Sequence, residues 1–251
     1  MERSVDARMW LEGNREAWNA GRYEAWVAAM GPPEVQAQRI VADPAHVARR
    51  VAPHLIPLAG KRVASIQGSH GRVAVALALL GARATVFDFA EENRRYALAL
   101  AAAAEVALDY RLGDVMLAAD TSPDDRFDAL AMELGILHYH QDLTAFFVVM
   151  RRLAAPGARL VLAEFHPVQR KLFWSGRSGK LDYFAADPVL ADVPNPVGSA
   201  ERLGQCTLRF WTLGEVVNAV IEAGFTLRRL DEHPDWSDPA IPGTFTLVAD
   251  A

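Results

Sequence analysis

The run Gln67-Gly68-Ser69-His70-Gly71 places small and polar residues directly after the apolar segment Val63-Ala64-Ser65-Ile66. Small residues let a ligand approach the backbone, and a helix that follows such a turn offers free N–H groups. Asp88 comes seventeen residues after Gly71 and closes a second apolar segment, Ala84-Thr85-Val86-Phe87. A carboxylate there can accept hydrogen bonds from both hydroxyls of a ribose, at about 1.5–3 kcal/mol for each bond to a charged acceptor. Asp114, in Leu112-Gly113-Asp114-Val115, can accept from the amino group of adenine while Val115 offers a backbone N–H. Each position also has a plain structural role, as a strand-to-helix turn, a helix cap or a Gly-Asp turn. The loop and the acid together favour a nucleoside ligand.

A second set of residues could move protons. Glu133 follows the apolar segment Asp128–Met132, and Leu134-Gly135-Ile136-Leu137-His138-Tyr139-His140 comes next. Glu164 and His166 follow the segment Arg159–Ala163. An imidazole with a pKa near neutrality suits general base work, so His138 and His166 are the leading candidates, with Glu133 beside them. Each histidine could equally serve by hydrogen-bonding backbone at a strand end. His138-x-His140 with Glu133 and His166 contains metal-ligand types, but the spacing is common, and no metal is expected. Trp174, Tyr183, Phe184, Phe210 and Trp211 could stack on an acceptor or anchor a loop.

The elements that must position these residues read as strands alternating with helices. Strands are expected at Arg62–Ile66, Ala84–Phe87, Asp109–Leu112, Asp128–Met132 and Arg159–Ala163, with helices at Val73–Leu80, Glu91–Ala104, Leu143–Leu153 and Leu213–Ala223. That alternation predicts a mostly parallel sheet covered on both faces. Thr226–Leu230 and Thr244–Ala249 have no helix between them and are expected to pair as an antiparallel hairpin at the sheet edge. In open sheets of this kind ligands bind beyond the carboxyl ends of the strands, where the residues above fall. The segment from about 166 to 211 is rich in Gly, Pro and Asp and reads as a partial cover over the site. Residues 1–57 read as an N-terminal helical lid on a domain spanning 58–251. Trp10, Trp18 and Trp26 recur every eight residues on one slowly drifting helical face that ends at Gly31-Pro32-Pro33. Further helices are expected from Glu34 to about Val41 and from Pro44 to about Leu55.

Composition limits the alternatives. The chain has 251 residues, 51% apolar and 23% charged, with a net charge of −5. That suits one sizeable α/β domain and argues against a nucleic-acid partner, which usually demands a basic patch. The single cysteine, Cys206, excludes an intramolecular disulfide framework and any cysteine-rich metal site. Met1 to Asp6 leads into polar residues, and no long uncharged apolar run is present, so a soluble cytoplasmic protein without a membrane partner is expected.

The run from Lys61 to Pro167 resembles the class I S-adenosylmethionine-dependent methyltransferases. The resemblance rests on the glycine loop, on Thr85-Val86-Phe87-Asp88-Phe89, on Gly113-Asp114-Val115, on Phe127-Asp128-Ala129 and on Leu137-His138-Tyr139. It ends in Arg152-Leu153-Ala154-Ala155-Pro156-Gly157-Ala158-Arg159-Leu160, similar to the family's "L-K-P-G-G-x-L". The resemblance implies a Rossmann-like, seven-stranded sheet and S-adenosylmethionine as cofactor. Its implied cofactor contacts are Gln67 to Gly71, Asp88, Phe89, Asp114, Val115, Glu133 and Leu134, with transfer to a small-molecule acceptor. Methyl transfer is an in-line displacement that relies on positioning and desolvation, so a base is needed only where the nucleophile must lose a proton. The loop departs from the family's D-x-G-x-G-x-G. Ser65 stands at the acid position, Gln67 and Ser69 replace two glycines, Gly71 matches the last, and Gly68 is displaced by one. A protein that binds the cofactor without transferring from it is the first alternative. A nicotinamide-dependent oxidoreductase is the second, weakened by the absence of G-x-G-x-x-G.

Overall fold

The computed structural model describes residues 5–120, 125–173, 181–193 and 204–251. Seven strands form one sheet: β1 (Arg62–Ile66), β2 (Arg83–Asp88), β3 (Asp109–Leu112), β4 (Phe127–Glu133), β5 (Ala154–Phe165), β8 (Thr226–Pro234) and β9 (Pro242–Asp250), in the order β3-β2-β1-β4-β5-β9-β8. β1 to β5 run parallel, and β9 pairs antiparallel with both β5 and β8. The late hairpin is therefore at the edge, as its missing crossover helix requires. A separate antiparallel pair, β6 (Val189–Asp192) and β7 (Gln205–Leu208), lies within the segment expected as a cover.

Helices clad both faces. On one side α7 (Leu143–Leu153) and α8 (Leu213–Glu222) bury an apolar core against β4, β5 and β9. Phe146, Phe147, Met150 and Leu153 are fully buried along α7, each contributing about 1.5–3 kcal/mol through the hydrophobic effect. Asp142 caps α7 by accepting from the Ala145 N–H, and Thr212 and Glu215 form a reciprocal capping box at α8. On the other side α3 (Pro33–Ala42), α5 (Arg72–Leu79) and α6 (Glu91–Ala103) bury Ile40, Val51, Leu55, Val75, Leu77, Tyr96 and Leu100 against the sheet.

The N-terminal segment differs from expectation in two places. The tryptophan-bearing stretch is two helices, α1 (Val5–Trp18) and α2 (Arg22–Met30), because Gly21 takes a left-handed conformation at φ 66° and breaks the ladder. Trp18 and Trp26 thereby flank Arg22, whose guanidinium carbon lies 4.2 and 4.3 Å from the two ring centroids. The helix expected from Pro44 to Leu55 stops early, as α4 (Pro44–Val47), with a short turn at Ala52–His54. Pro53 has no N–H to bond the carbonyl four residues earlier, so one α-helix could not run on to Leu55.

The cover and the N-terminal helices meet. The Asn14 side chain donates to the Thr207 carbonyl at 3.0 Å and accepts from its N–H at 2.8 Å, so α1 sits on β7. Gly204 allows this approach, since a Cβ there would lie 2.8 Å from Ala17. Cys206 is buried in the cluster formed by this contact, and burial raises its thiol pKa to about 12. Trp174 and residues 194–203 of the expected cover lie outside the described residues.

Candidate active site

The loop after β1 is the floor of the site. Gln67 and Ser69, at two family glycine positions, hold left-handed backbone at φ 47° and 50°, and Gly71 at φ 76°. Non-glycine residues in that region cost about 1–2 kcal/mol each, so other contacts must hold the loop. Those contacts are present. The Ser69 N–H donates to Asp88 Oδ2 at 3.0 Å, the Tyr110 hydroxyl donates to the Ser69 carbonyl at 3.0 Å, and Gln67 Oε1 lies 3.0 Å from His140 Nε2. A Cβ on Gly68 would lie 2.5 Å from the Ser65 hydroxyl, and one on Gly71 would lie 2.7 Å from the Ala97 methyl. The glycines that remain are those whose surroundings exclude a side chain.

Asp88 ends β2 and is buried. Its Oδ1 also accepts from the Ala90 N–H at 2.9 Å and from the Asn93 amide at 3.4 Å. Burial raises its pKa, and these donors oppose the shift. The helix-entry role and an exposure to ligand are therefore both present, because Asp88 also lines the cleft described below.

After β4 the chain turns through Leu134 at φ 51° and Gly135 at φ 86°. Glu164 holds this turn. Its carboxylate accepts from the N–H groups of Gly135 (2.6 Å), Ile136 (2.7 Å), Leu137 (3.2 Å) and Phe165 (2.7 Å). A buried carboxylate saturated by backbone donors fixes the β4 exit in space. Glu133, beside it, pairs through Oε1 with Arg50 Nη1 at 2.8 Å.

These elements enclose a cleft of about 310 Å³ over the carboxyl ends of β1, β2 and β4. That is within the usual size range of small-molecule sites. Ser65, Gln67, Gly68, Ser69, His70, Asp88, Phe89, Glu133 and Leu134 line it, joined by Trp18, Trp26, Arg50, Arg72, Asn93 and Tyr139. The Trp18 indole donates to the Tyr139 hydroxyl at 3.1 Å, and the Trp26 indole donates to Asn93 Oδ1 at 2.9 Å. His70 lies against Trp26, with centroids 4.3 Å apart, and burial lowers its pKa to about 3. Two cleft atoms, His70 Nε2 and Glu133 Oε2, are buried without a hydrogen-bond partner among the described residues. Polar atoms of this kind in a concave site can bond a ligand or water.

Other expected site residues fall elsewhere. Asp114 turns the chain after β3 by accepting from the Met116 N–H at 3.0 Å, and Val115 is buried in the core. Neither lines the cleft. His138 packs against Tyr139 with centroids 4.4 Å apart and rings tilted by 52°, and it lines a separate cavity of about 30 Å³ with Phe165, Arg170 and Phe210. Burial lowers its pKa to about 3. His166 is buried, with Nδ1 accepting from the Val168 N–H at 3.1 Å and Nε2 2.7 Å from Glu232. Its pKa is pushed down by burial, with Glu232 opposing. Of the three candidate bases only Glu133 reaches the cleft. Arg50 and Asn93 carried no motif. Tyr139 enters the sequence pattern only as the neighbour of His138. Among the described residues no cluster of three or more His, Cys, Asp or Glu could hold a metal, and no helix is long and apolar enough to cross a membrane.

Comparison with known proteins agrees with this geometry. Residues 66–162 match the methyltransferase domain family. No curated protein matches the sequence. Among solved structures, the chain is similar to an S-adenosylmethionine-dependent methyltransferase from Mesorhizobium loti, at 20% identity over 86% of this chain and 100% of that one, with a TM-score of 0.61. It is also similar to magnesium protoporphyrin IX methyltransferase from Synechocystis PCC 6803 with bound S-adenosylhomocysteine, at 17% identity over 98% and 99%, TM-score 0.61. A glycopeptide N-methyltransferase complexed with S-adenosylmethionine follows at 15% identity over 81% and 92%, TM-score 0.56. Residues 66–162 thus match a methyltransferase domain, and the sheet, edge hairpin and flanking helices have the fold of the S-adenosylmethionine-dependent methyltransferases to which the chain is similar.

Proposed function

We propose that this chain transfers a methyl group from S-adenosylmethionine to a small-molecule acceptor. The observation that carries the reading is Asp88, a buried carboxylate at the end of β2 that both organises the preceding loop and lines the cleft. The structural neighbours crystallised with S-adenosylmethionine or S-adenosylhomocysteine support it. The residues present fit the cofactor, with an acid for hydroxyl donors, a floor that excludes side chains at Gly68, and orphaned polar atoms on the walls. When bound, S-adenosylmethionine supplies an electrophilic methyl group on a sulfonium.

The chain's own residues do the rest. Asp88 accepts from ribose hydroxyls with the lone pairs its backbone donors leave. Ser65 leaves Asp88 and Glu133 as the two carboxylates that line the cleft, so Glu133 takes the charge role that the missing loop acid would have had. Glu133 is also the group placed to accept a proton from an acceptor nucleophile, and its pairing with Arg50 holds it oriented. His70 stays neutral and offers a hydrogen bond rather than a charge. Trp18, Trp26 and Tyr139 wall off water on the side of α1 and α2, which act as the lid. A net charge of −5 fits a small acceptor handled in the cytoplasm rather than a nucleic acid.

The test is conversion of S-adenosylmethionine to S-adenosylhomocysteine by the full chain across fractions of small metabolites, followed by mass spectrometry. Transfer to a small compound is the expected result. Conversion with none of the fractions, despite cofactor binding, would favour the non-transferring reading that Ser65 keeps alive.

A further inference from the structure

A second cavity, of about 230 Å³, opens beside the cleft and shares Arg50 with it. Its floor is the next stretch of the same sheet edge, where β5, β9 and β8 follow β4. Arg49, Arg50, His54 and His233 line it, and no acid does among the described residues. In a chain of net charge −5, two arginines and two histidines around one cavity are against the average. Arg50 gives Nη1 to Glu133, but a guanidinium carries five N–H donors in a fork, and the others remain for the cavity side. Arg49 is exposed and donates Nη1 to the His46 carbonyl at 2.9 Å, a contact an anion can supplement. Burial first, and then the nearby Arg229, Arg159 and His233, push the pKa of His54 down against Asp231, so His54 offers an anion a neutral ring N–H rather than a charge. Trp236 stands at the rim, 68% exposed, with the Arg50 guanidinium 5.6 Å from its ring. Its ring also meets Phe165 edge-on, with centroids 6.2 Å apart, which leaves an aromatic face at the rim of the cationic pocket.

We propose that this cavity is the acceptor's anchor. It holds a carboxylate or phosphate through Arg49, Arg50 and His54, while the planar body of the acceptor lies along Trp236 and reaches past Arg50 into the cleft. The inference rests on the methyltransferase reading and narrows the acceptor to a small acid. Charge-assisted bonds to a guanidinium fork give both affinity and direction, so the anchored end fixes which atom meets the reactive methyl.

Calorimetry on the full chain tests this with benzoate, benzamide and inorganic phosphate as probes, in the presence of S-adenosylhomocysteine. Benzoate should bind saturably, and its uncharged amide about tenfold more weakly or worse. Arg49→Gln should weaken benzoate about tenfold while S-adenosylhomocysteine binding is retained. His54→Gln should weaken it in the same direction, which covers the case in which the first variant misfolds. Trp236→Ala should weaken benzoate but not phosphate. Phosphate binding more tightly than benzoate would assign the anchor to a phosphate ester rather than a carboxylic acid. Equal binding of benzoate and benzamide, no binding of either anion, or wild-type affinity in folded Arg49→Gln and His54→Gln would overturn the proposal. S-adenosylhomocysteine is titrated alone on the same sample. If it fails to bind while benzoate binds, the methyltransferase reading falls and the anion site stands.

Discussion

Glu164→Gln isolates one group that shapes the site without lining the cleft. The native carboxylate accepts from four backbone N–H groups, with Gly135 and Phe165 on Oε1 and Ile136 and Leu137 on Oε2. Glutamine keeps the volume but offers one oxygen and one NH2. Whichever way the amide turns, two buried N–H groups face another donor. Each such loss costs about 1–3 kcal/mol, so the pair costs about 2–6 kcal/mol. At a mid-range cost of about 4 kcal/mol, the melting temperature of a chain this size falls by roughly 8–16 °C. The turn they belong to carries Leu134 and Gly135 into the cleft, so affinity for S-adenosylhomocysteine should drop in the same variant. Differential scanning calorimetry and a binding titration read the two effects. A variant with wild-type melting and wild-type affinity would refute the claim that this carboxylate holds the β4 exit.

Ser69→Gly should leave stability within about 1 kcal/mol of wild type or raise it slightly, because glycine relieves the left-handed conformation at φ 50°, whereas Ser69→Val should destabilise clearly. Urea denaturation of the two variants checks the contrast. Gly71→Ala combines positive φ with a Cβ 2.7 Å from Ala97 and should cost about 2 kcal/mol or more by the same assay. His70 and His138 have folded pKa values near 3, below the ordinary 6.5, so the unfolded chain binds their protons first as pH falls. Their contribution to stability is complete above pH 6.5 and is lost between 6.5 and about 3, reaching about 2–4 kcal/mol for the pair near pH 5. Thermal unfolding against pH should show that decline, and His138→Gln should flatten it.

The sheet was legible because its strands are short apolar runs closed by turn residues. β1 and β3 begin and end where the residue pattern places them, and the crossover-free pair at the C-terminus sits at the edge. The acid at the end of β2 and the loop before it were legible for the same reason, since strand ends are where this architecture exposes side chains. The N-terminal helices were less so. A tryptophan spacing of eight fits one continuous helix, and the break at Gly21 is a property of a single backbone conformation. The histidines show the limit most clearly. His138 and His166 have the right chemistry close to the right strand ends, but His138 lies among Phe165, Arg170 and Phe210 on the far side of Tyr139, and His166 lies against Glu232, both outside the cleft. Glu164 was visible as an acid, yet its four backbone partners are scattered between Gly135 and Phe165, and only the folded register of β4 on β5 brings them together. Arg50 lies 83 positions from its partner Glu133, a pairing that no local pattern encodes.

The central claim, that Asp88 and the loop it holds form an adenosyl site, is tested most directly by titrating S-adenosylhomocysteine into the wild-type chain and into Asp88→Asn by calorimetry. Asparagine preserves the shape but removes the charge that receives the ribose hydroxyls. The account predicts saturable one-to-one binding to the wild type and a loss of about 10- to 100-fold in the folded variant. No heat of binding in the wild type, or equal affinity in the two proteins, would contradict it.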